Sequence, residues 1–403
     1  MIFELIQIAL GKLDRLSHVP SKEEWRDLFA DAQKQSVVGI AFAGVQRLPE
    51  EQWPPRALLF EWIGAAESIK QRNATLDRQC VKLQKRFGEA AIRSSILKGQ
   101  GVARYYNSRP SSSIINDNPE HNSSRIGEFE NSTSNMHELS SLRQPGDIDI
   151  FVDCGRERTL EFARDCGMRE VCWDYKHLHL HVFKETEVEV HYRVEVLLNL
   201  WKNRKLQKWL KDHEDMLFSQ NGDLVTPTVE FNRYYILLHI YRHFLYEGVG
   251  LRQLMDYYFV LKTACGRPSS SISNEKLKQN QSRIIEFENS SMDYAELTDW
   301  LKQFGMWKFA RGVMWVLQEA FGLEKEYMLG DPLESEGRFI LSEVMAGGNF
   351  GHHDKRLSSD KRGKLQTVKK VVKHNAHLMR HYPAEIIWPP LWFVWHKWWK
   401  WSR

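Results

Sequence analysis

Apolar residues recur about one turn apart between residues 65 and 91, where Leu76, Cys80, Leu83 and Phe87 share a face, and that period predicts a long helix. The whole stretch 1–93 reads as helical. Within it, Ser21-Lys22-Glu23-Glu24 carries a capping-box pattern, in which the serine oxygen and the glutamate satisfy free N–H groups at a helix start. An apolar run, Ser95-Ile96-Leu97, then breaks at Lys98-Gly99. Further on, the period shortens to that of a strand. Ile148 to Val152 predicts one strand. Residues 177–192 alternate twice, as His-Leu-His-Leu-His-Val-Phe and Val-Glu-Val-His-Tyr, about a polar turn at 184–187, which is a β-hairpin signal. Residues 157–167 read as a helix, and from about 196 helical spacing returns over 230–245, 251–264, 294–321 and 334–346. The fold class is therefore α+β, a small sheet-bearing core between two helical segments. The divisions fall at 1–93, 94–195, 196–350 and a basic, Trp-rich tail at 351–403.

Two stretches interrupt this pattern. Residues 109–132 recur at 267–290 with a constant offset, and 16 of the 24 aligned positions are identical. Both copies are rich in Ser and Asn and poor in large apolar residues, the composition of surface or disordered segments. A solenoid repeat would carry an apolar face and recur more often. The reading is one inserted element present twice, accommodated in surface loops.

Composition narrows the class further. Hydrophobic residues make up 42% and charged residues 27% of 403 residues, as in soluble globular proteins. A net charge of +4 is too weak to predict a nucleic-acid partner. The five cysteines show no metal-ligand spacing and fit a reducing compartment better than a disulfide framework. Glu4 interrupts what would be a signal sequence's apolar core, and no apolar run reaches the ~18 residues of a membrane span. The expected location is the cytoplasm.

Candidate chemistry lies at the sheet. Asp147 and Asp149 stand at i and i+2 of a strand, so both side chains point to one face while Ile148 and Ile150 point to the other. Closely placed carboxylates are what two divalent ions need to clamp the attacking and leaving oxygens of a phosphoryl or nucleotidyl transfer, and oxygen ligands suit Mg²⁺. Glu189 on the hairpin is the natural third carboxylate. Lys98-Gly99-Gln100-Gly101 lies between a predicted strand and a helix, where glycines let backbone N–H groups approach phosphate.

Leu97-Lys98-Gly99, Tyr105-Tyr106 and Arg143-Gln144-Pro145-Gly146-Asp147-Ile148-Asp149-Ile150 together resemble the uncharacterised nucleotidyltransferase family of the polymerase-β-like superfamily. Val188-Glu189-Val190-His191 is similar to that family's third-acidic strand, and Gly250-Leu251-Arg252-Gln253-Leu254-Met255-Asp256 to its helical-domain motif. The resemblance covers roughly 1–330 with the two inserted stretches excluded. It implies a small mixed-sheet nucleotidyltransferase core and transfer of a nucleoside monophosphate from an NTP to an acceptor hydroxyl, with two Mg²⁺ ions and release of pyrophosphate. Asp147, Asp149 and Glu189 would hold the metal, with Glu189 at or near the general base; Lys98, Gly99, Gln100, Gly101, Arg143 and Arg252 would bind the nucleotide. Gln100 stands where better-known members carry the serine of a glycine-serine pair. Gly101 and Asp147 lie 46 positions apart, and removal of the 24-residue insertion restores the family's short spacing.

Other residues are read beside bland alternatives. His177, His179 and His181 alternate on one strand face. A two-residue turn points them away from Glu189, whereas an odd-length loop brings at least His181 toward it, and the sequence leaves both open. His191 shares the face of Glu189 in either register and is a candidate phosphate or nucleophile contact. Arg252 and Asp256 are an i, i+4 pair that either bridge locally or face a cleft. The stripe Ile236, Leu237, Ile240 and Leu245 leaves Arg242 and His243 on a polar side. Trp388, Trp392, Trp395, Trp398, Trp399 and Trp401, with Lys397 and Lys400 among them, allow three roles for the tail: a membrane surface, single-stranded nucleic acid, or docking on the chain itself. The alternative to an enzyme is a catalytically inactive scaffold or binding protein of the same fold, membrane- or RNA-associated through this tail. The acceptor and the choice of nucleotide are not legible.

Overall fold

The computed structural model describes residues 1–107, 139–265, 294–349 and 375–402, so both copies of the repeated stretch lie outside the described residues. Four helices open the chain: α1 (Ile2–Ala9), α2 (Lys22–Lys34), α3 (Val38–Val45) and α4 (Arg56–Glu89). The capping box forms as expected, with the Glu24 amide donating to Ser21 Oγ at 3.2 Å and the Ser21 amide to Glu24 Oε2 at 2.8 Å. Helix α4 starts earlier than its clearest periodicity, because Leu58 and Trp62 continue the buried stripe of Ala66, Ile69, Leu76, Cys80, Leu83 and Phe87.

Strand β1 (Ser94–Ile96) and the short turns α5 (Gln100–Ala103) and α6 (Leu139–Leu142) precede β2 (Ile148–Val152). Helix α7 (Gly155–Asp165), β3 (His177–His179) and β4 (Val188–His191) follow. The sheet order is β1-β2-β4-β3, with β2 and β4 parallel and the outer pairs antiparallel, which makes it a small mixed sheet. Alternation divides its two faces. Ile148, Ile150, Val152, Val188 and Val190 pack with Leu76, Leu83 and Phe87 of α4 and Phe162 of α7 in one core. Asp149, Glu189 and His191 therefore project from the opposite face.

Helix α8 (Leu200–Asp212) leads to a ribbon, β5 (Ser219–Asn221) and β6 (Leu224–Thr226), inside the stretch read as helical. Gly222-Asp223 closes it, and Gln84 of α4 bonds both polar groups of Val225. Helices α9 (Val229–Tyr246), α10 (Leu251–Cys265), α11 (Tyr294–Gln303), α12 (Trp307–Phe321) and α13 (Glu334–Gly347) complete the helical part. The single helix expected at 294–321 is two helices, because Gly305 takes φ +70° and Lys202 Nζ holds the Phe304 carbonyl at 2.7 Å.

A second core runs from Ile2 of α1 to Ile386 and joins α1–α3 to α9–α13. The segment 1–93 is thus shared: its first helices belong with the later helical elements, and the last turns of α4 belong with the sheet. The C-terminal helix α14 (Trp388–Trp401) docks on the chain, with the Trp392, Trp395 and Trp399 rings edge-on to Tyr175 at 5.4, 5.1 and 5.0 Å. Its outer side exposes Leu391, Phe393, Val394, Trp398 and Trp401. Among the described residues, no helix is long and apolar enough to cross a membrane.

Candidate active site

Parallel pairing of β2 with β4 sets Asp149 directly beside Glu189, and Asp147 stands one residue before β2 on the same side. One oxygen from each of Asp147, Asp149 and Glu189 lies within 4.8 Å of the others. Gathering three acids sets repulsion against compensation, and the balance differs at each carboxyl. The neighbouring Asp149 charge, with burial, raises the Asp147 carboxyl above its ordinary value. Burial would also raise Asp149, but Lys98 and the His191 hydrogen bond outweigh it and hold Asp149 well below. Glu189 is opposed by burial in the same way and lowered chiefly by its His191 bond.

Two cationic groups sit against these acids. Lys98 Nζ lies 3.1 Å from Asp149 Oδ1; burial works against its charge, yet Asp149, Asp147 and Glu189 prevail and raise its pKa. His191 is fully buried, with Nε2 at 2.9 Å from Asp149 and 3.3 Å from Glu189. These bonds outweigh its burial and raise it. His191 Nδ1 and His177 Nδ1 are buried without a hydrogen-bond partner.

The register of β3 resolves the open question of the hairpin histidines. His179 pairs with Glu189 and His177 with His191, the parity of an odd loop. It is His177, rather than His181, that reaches the acids: its Nε2 is 3.7 Å from Glu189, whereas His181 is exposed beyond the strand. Burial and the adjacent His191 push His177 down to about 4. His177, Glu189 and His191 form a second donor group within 4.8 Å that shares Glu189 with the first.

The Lys98–Gly101 element divides by role. Lys98 and Gly99 line a narrow cavity of about 30 Å³ with Asp147, Asp149, Arg143 and Arg252. Gln100 turns away, its Nε2 donating to Asp77 of α4 at 2.5 Å. Gly101 permits a close approach, since a Cβ there would stand 2.4 Å from the Ile96 carbonyl oxygen. Arg143 is committed to α10: its Nε and Nη2 donate to the two Asp256 oxygens, both at 2.7 Å, and Tyr106 donates to the same carboxylate at 2.7 Å. Asp256, read as an i, i+4 partner of Arg252, is therefore the buried counter-ion of Arg143. Arg252 Nη1 donates to the Gln144 carbonyl at 3.4 Å.

Sequence reasoning missed the groups beyond this shell. Glu195 is fully buried and receives Lys176 at 2.9 Å, His239 Nδ1 at 3.0 Å and Arg242 Nε at 3.1 Å. Burial would raise Glu195, but the Lys176 and Arg242 charges, with the His239 hydrogen bond, outweigh it and hold Glu195 well below its ordinary value. The polar side of α9 thus faces the sheet's charged face rather than solvent, and Lys98 Nζ lies 3.4 Å from His239. The usable signal was a lone acid between Val194 and Val196, and a lone histidine inside the run Tyr-Ile-Leu-Leu-His-Ile-Tyr.

Asp147 and Lys98 also line a second, wider cavity of about 370 Å³, with Glu189 and His177 on one side and Tyr175, Trp392 and His396 on another. The donor set Asp147, Asp149 and Glu189 is all oxygen and suits a hard divalent cation. A family model described as uncharacterised nucleotidyltransferase matches residues 21–114 and 134–281, together more than half of the chain. No curated protein and no solved structure matches it.

Proposed function

The chain belongs to this uncharacterised nucleotidyltransferase family, and from that premise we propose that it transfers a nucleoside monophosphate from an NTP to an acceptor hydroxyl, releasing pyrophosphate. The observation that carries the reading is the convergence of Asp147, Asp149 and Glu189 within 4.8 Å, on the polar face of a sheet whose other face is packed apolar core. An unused trio of acids would only repel, and burying it without compensation costs stability.

These three carboxylates would hold Mg²⁺, two ions being the usual complement. Bound ions would neutralise charge on the attacking and leaving oxygens. The chain's own residues supply the rest. Asp147 lines both cavities, Asp149 the narrow one and Glu189 the wide one. Lys98, which lines both cavities, and Arg252 in the narrow one place positive charge beside the carboxylates, and charge stabilisation of the phosphates dominates this chemistry. Glu189, on the open side, takes the proton of the acceptor hydroxyl, and His191 fixes its orientation through Nε2. Arg143 acts at one remove: its pair with Asp256 ties the turn before β2 to α10.

Calorimetric titration of the full chain with each ribonucleoside triphosphate, with and without Mg²⁺, tests the reading. Wild type is expected to bind one of them in a Mg²⁺-dependent way, and Asp147→Ala/Asp149→Ala to bind it at least ~10-fold more weakly. Equal affinity in both proteins removes the metal-site assignment.

A further inference from the structure

The wide cavity carries a feature that the carboxylates do not explain. One of its walls is aromatic and is built by α14, which lies outside both matched stretches of the chain. Trp392 and His396 are one turn apart on that helix, and both face the cavity that holds Asp147 and Glu189. Their rings are nearly parallel, with an interplanar angle of 8° and centroids 6.4 Å apart.

The wall is held firmly from behind. Trp399 is buried, packs edge-on to Trp173 at 5.8 Å, and has the Arg156 guanidinium 5.5 Å from its ring. Tyr175 meets Trp392, Trp395 and Trp399 in turn, and it lies two residues before His177 of β3. The aromatic wall and the carboxylate face are thus fixed to each other through one short segment, 173–177. Trp392 and His396 remain partly exposed while Trp399 is sealed. Trp392 also meets Tyr175 in the docked helix, but that contact does not account for the His396 ring set nearly parallel to it in the cavity lining.

Size supports a division of the site. The narrow cavity, about 30 Å³, holds a water or two, whereas the wide one, about 370 Å³, reaches the range of small-molecule sites. Lys98, Lys176 and Arg242 line the wide cavity together with the aromatic wall and the acids, the latter two cations also paired with Glu195. One cavity thus offers a flat π-system, cationic groups and two of the three carboxylates proposed to hold metal, the chemistry that a nucleobase, its phosphates and their metal would each use. Base stacking on an aromatic ring tolerates any base, because every base presents a π-face.

We propose that Trp392 and His396 form a stacking shelf for the nucleobase of the bound nucleotide, so that the C-terminal helix completes the nucleotide site. This rests on the nucleotidyl-transfer reading above and deepens it.

The test compares the tightest-binding ribonucleoside triphosphate with inorganic tripolyphosphate, both with Mg²⁺, on full-length wild type, Trp392→Ala, Trp392→Phe and His396→Ala. Circular dichroism and melting temperature check folding, and Trp392→Phe keeps a ring if the alanine variant is unstable. Trp392→Ala is expected to weaken the nucleotide by about 5- to 150-fold, to leave tripolyphosphate within twofold, and to be largely rescued by Trp392→Phe. His396→Ala should shift the same way by a smaller factor. If Trp392→Ala binds the nucleotide as wild type does, or loses nucleotide and tripolyphosphate alike, the shelf is overturned and the metal-site reading stands. If wild type binds no nucleoside triphosphate, both fall together.

Discussion

Arg143 and Asp256 illustrate how a charged residue near a site can serve the fold. Both are buried, they pair through two 2.7 Å hydrogen bonds, and Tyr106 supplies a third to the same carboxylate. Removing one partner strands the other charge away from water, a loss of about 3–5 kcal/mol in comparable pairs. Asp256→Ala should lower the unfolding free energy by that amount in urea titration, with an unchanged m-value. Asp149→Asn should cost less stability, because Lys98 is partly exposed and can find water, yet it should abolish Mg²⁺-dependent nucleotide binding. The two substitutions separate framework from chemistry. Strand alternation made Asp147 and Asp149 legible in the sequence as neighbours on one face. Glu189 was legible only as the acid on the hairpin, because the parallel pairing that sets it beside Asp149 joins strands about 40 residues apart. Glu195 was not legible: its partners Lys176, His239 and Arg242 come from two distant elements, and no local period joins them.

At the scale of elements, α4 and α13 were legible from a one-sided apolar stripe, α9 and α10 from long apolar stretches that are buried almost all round, and alternation identified β2 and the β3–β4 hairpin. The short ribbon β5–β6 was lost to three-residue strands that carry no measurable period. The division between α11 and α12 rests on one glycine and a lysine from another helix, so the pattern on either side reads as continuous. Helix α3 shows what composition alone conceals. It is buried almost all round, and Gly39 lets it touch α6 so closely that a Cβ would stand 2.2 Å from the Leu142 carbonyl oxygen. Alanine at position 39 would gain up to about 1 kcal/mol in helix propensity. The clash is with backbone and cannot be relieved by a rotamer, so overpacking at about 1–3 kcal/mol wins. Gly39→Ala should therefore lower the melting temperature, and an increase would show that α3 and α6 can move apart.

For the whole molecule, burial of charge between sheet and helices makes acid the expected stress. Burial alone would raise Glu247, but the His243 hydrogen bond and the charges of His243 and Arg242 pull it down to about 2. Its folded pKa is thus below the unfolded value near 4.5. The stability it contributes is present above about pH 4.5 and lost as the pH falls toward 2. Melting temperatures of wild type should therefore drop across that window, and Glu247→Gln should show a shallower drop.

The larger core, which joins α1–α3 to α9–α13, also has a consequence in time. Gln7 of α1 bonds the carbonyl of Glu319 in α12, a separation of 312 residues. A ribosome adding about 5–20 residues per second needs roughly 15–60 s to cover that distance. Throughout that interval the apolar sides of Ile2, Leu5, Ile6 and Ile8 are on a nascent chain that does not yet contain α12. Helix α1 can pack on α3 as soon as both are made, but the side that meets α12 stays uncovered by it until α12 has been synthesised, so this part of the core closes late.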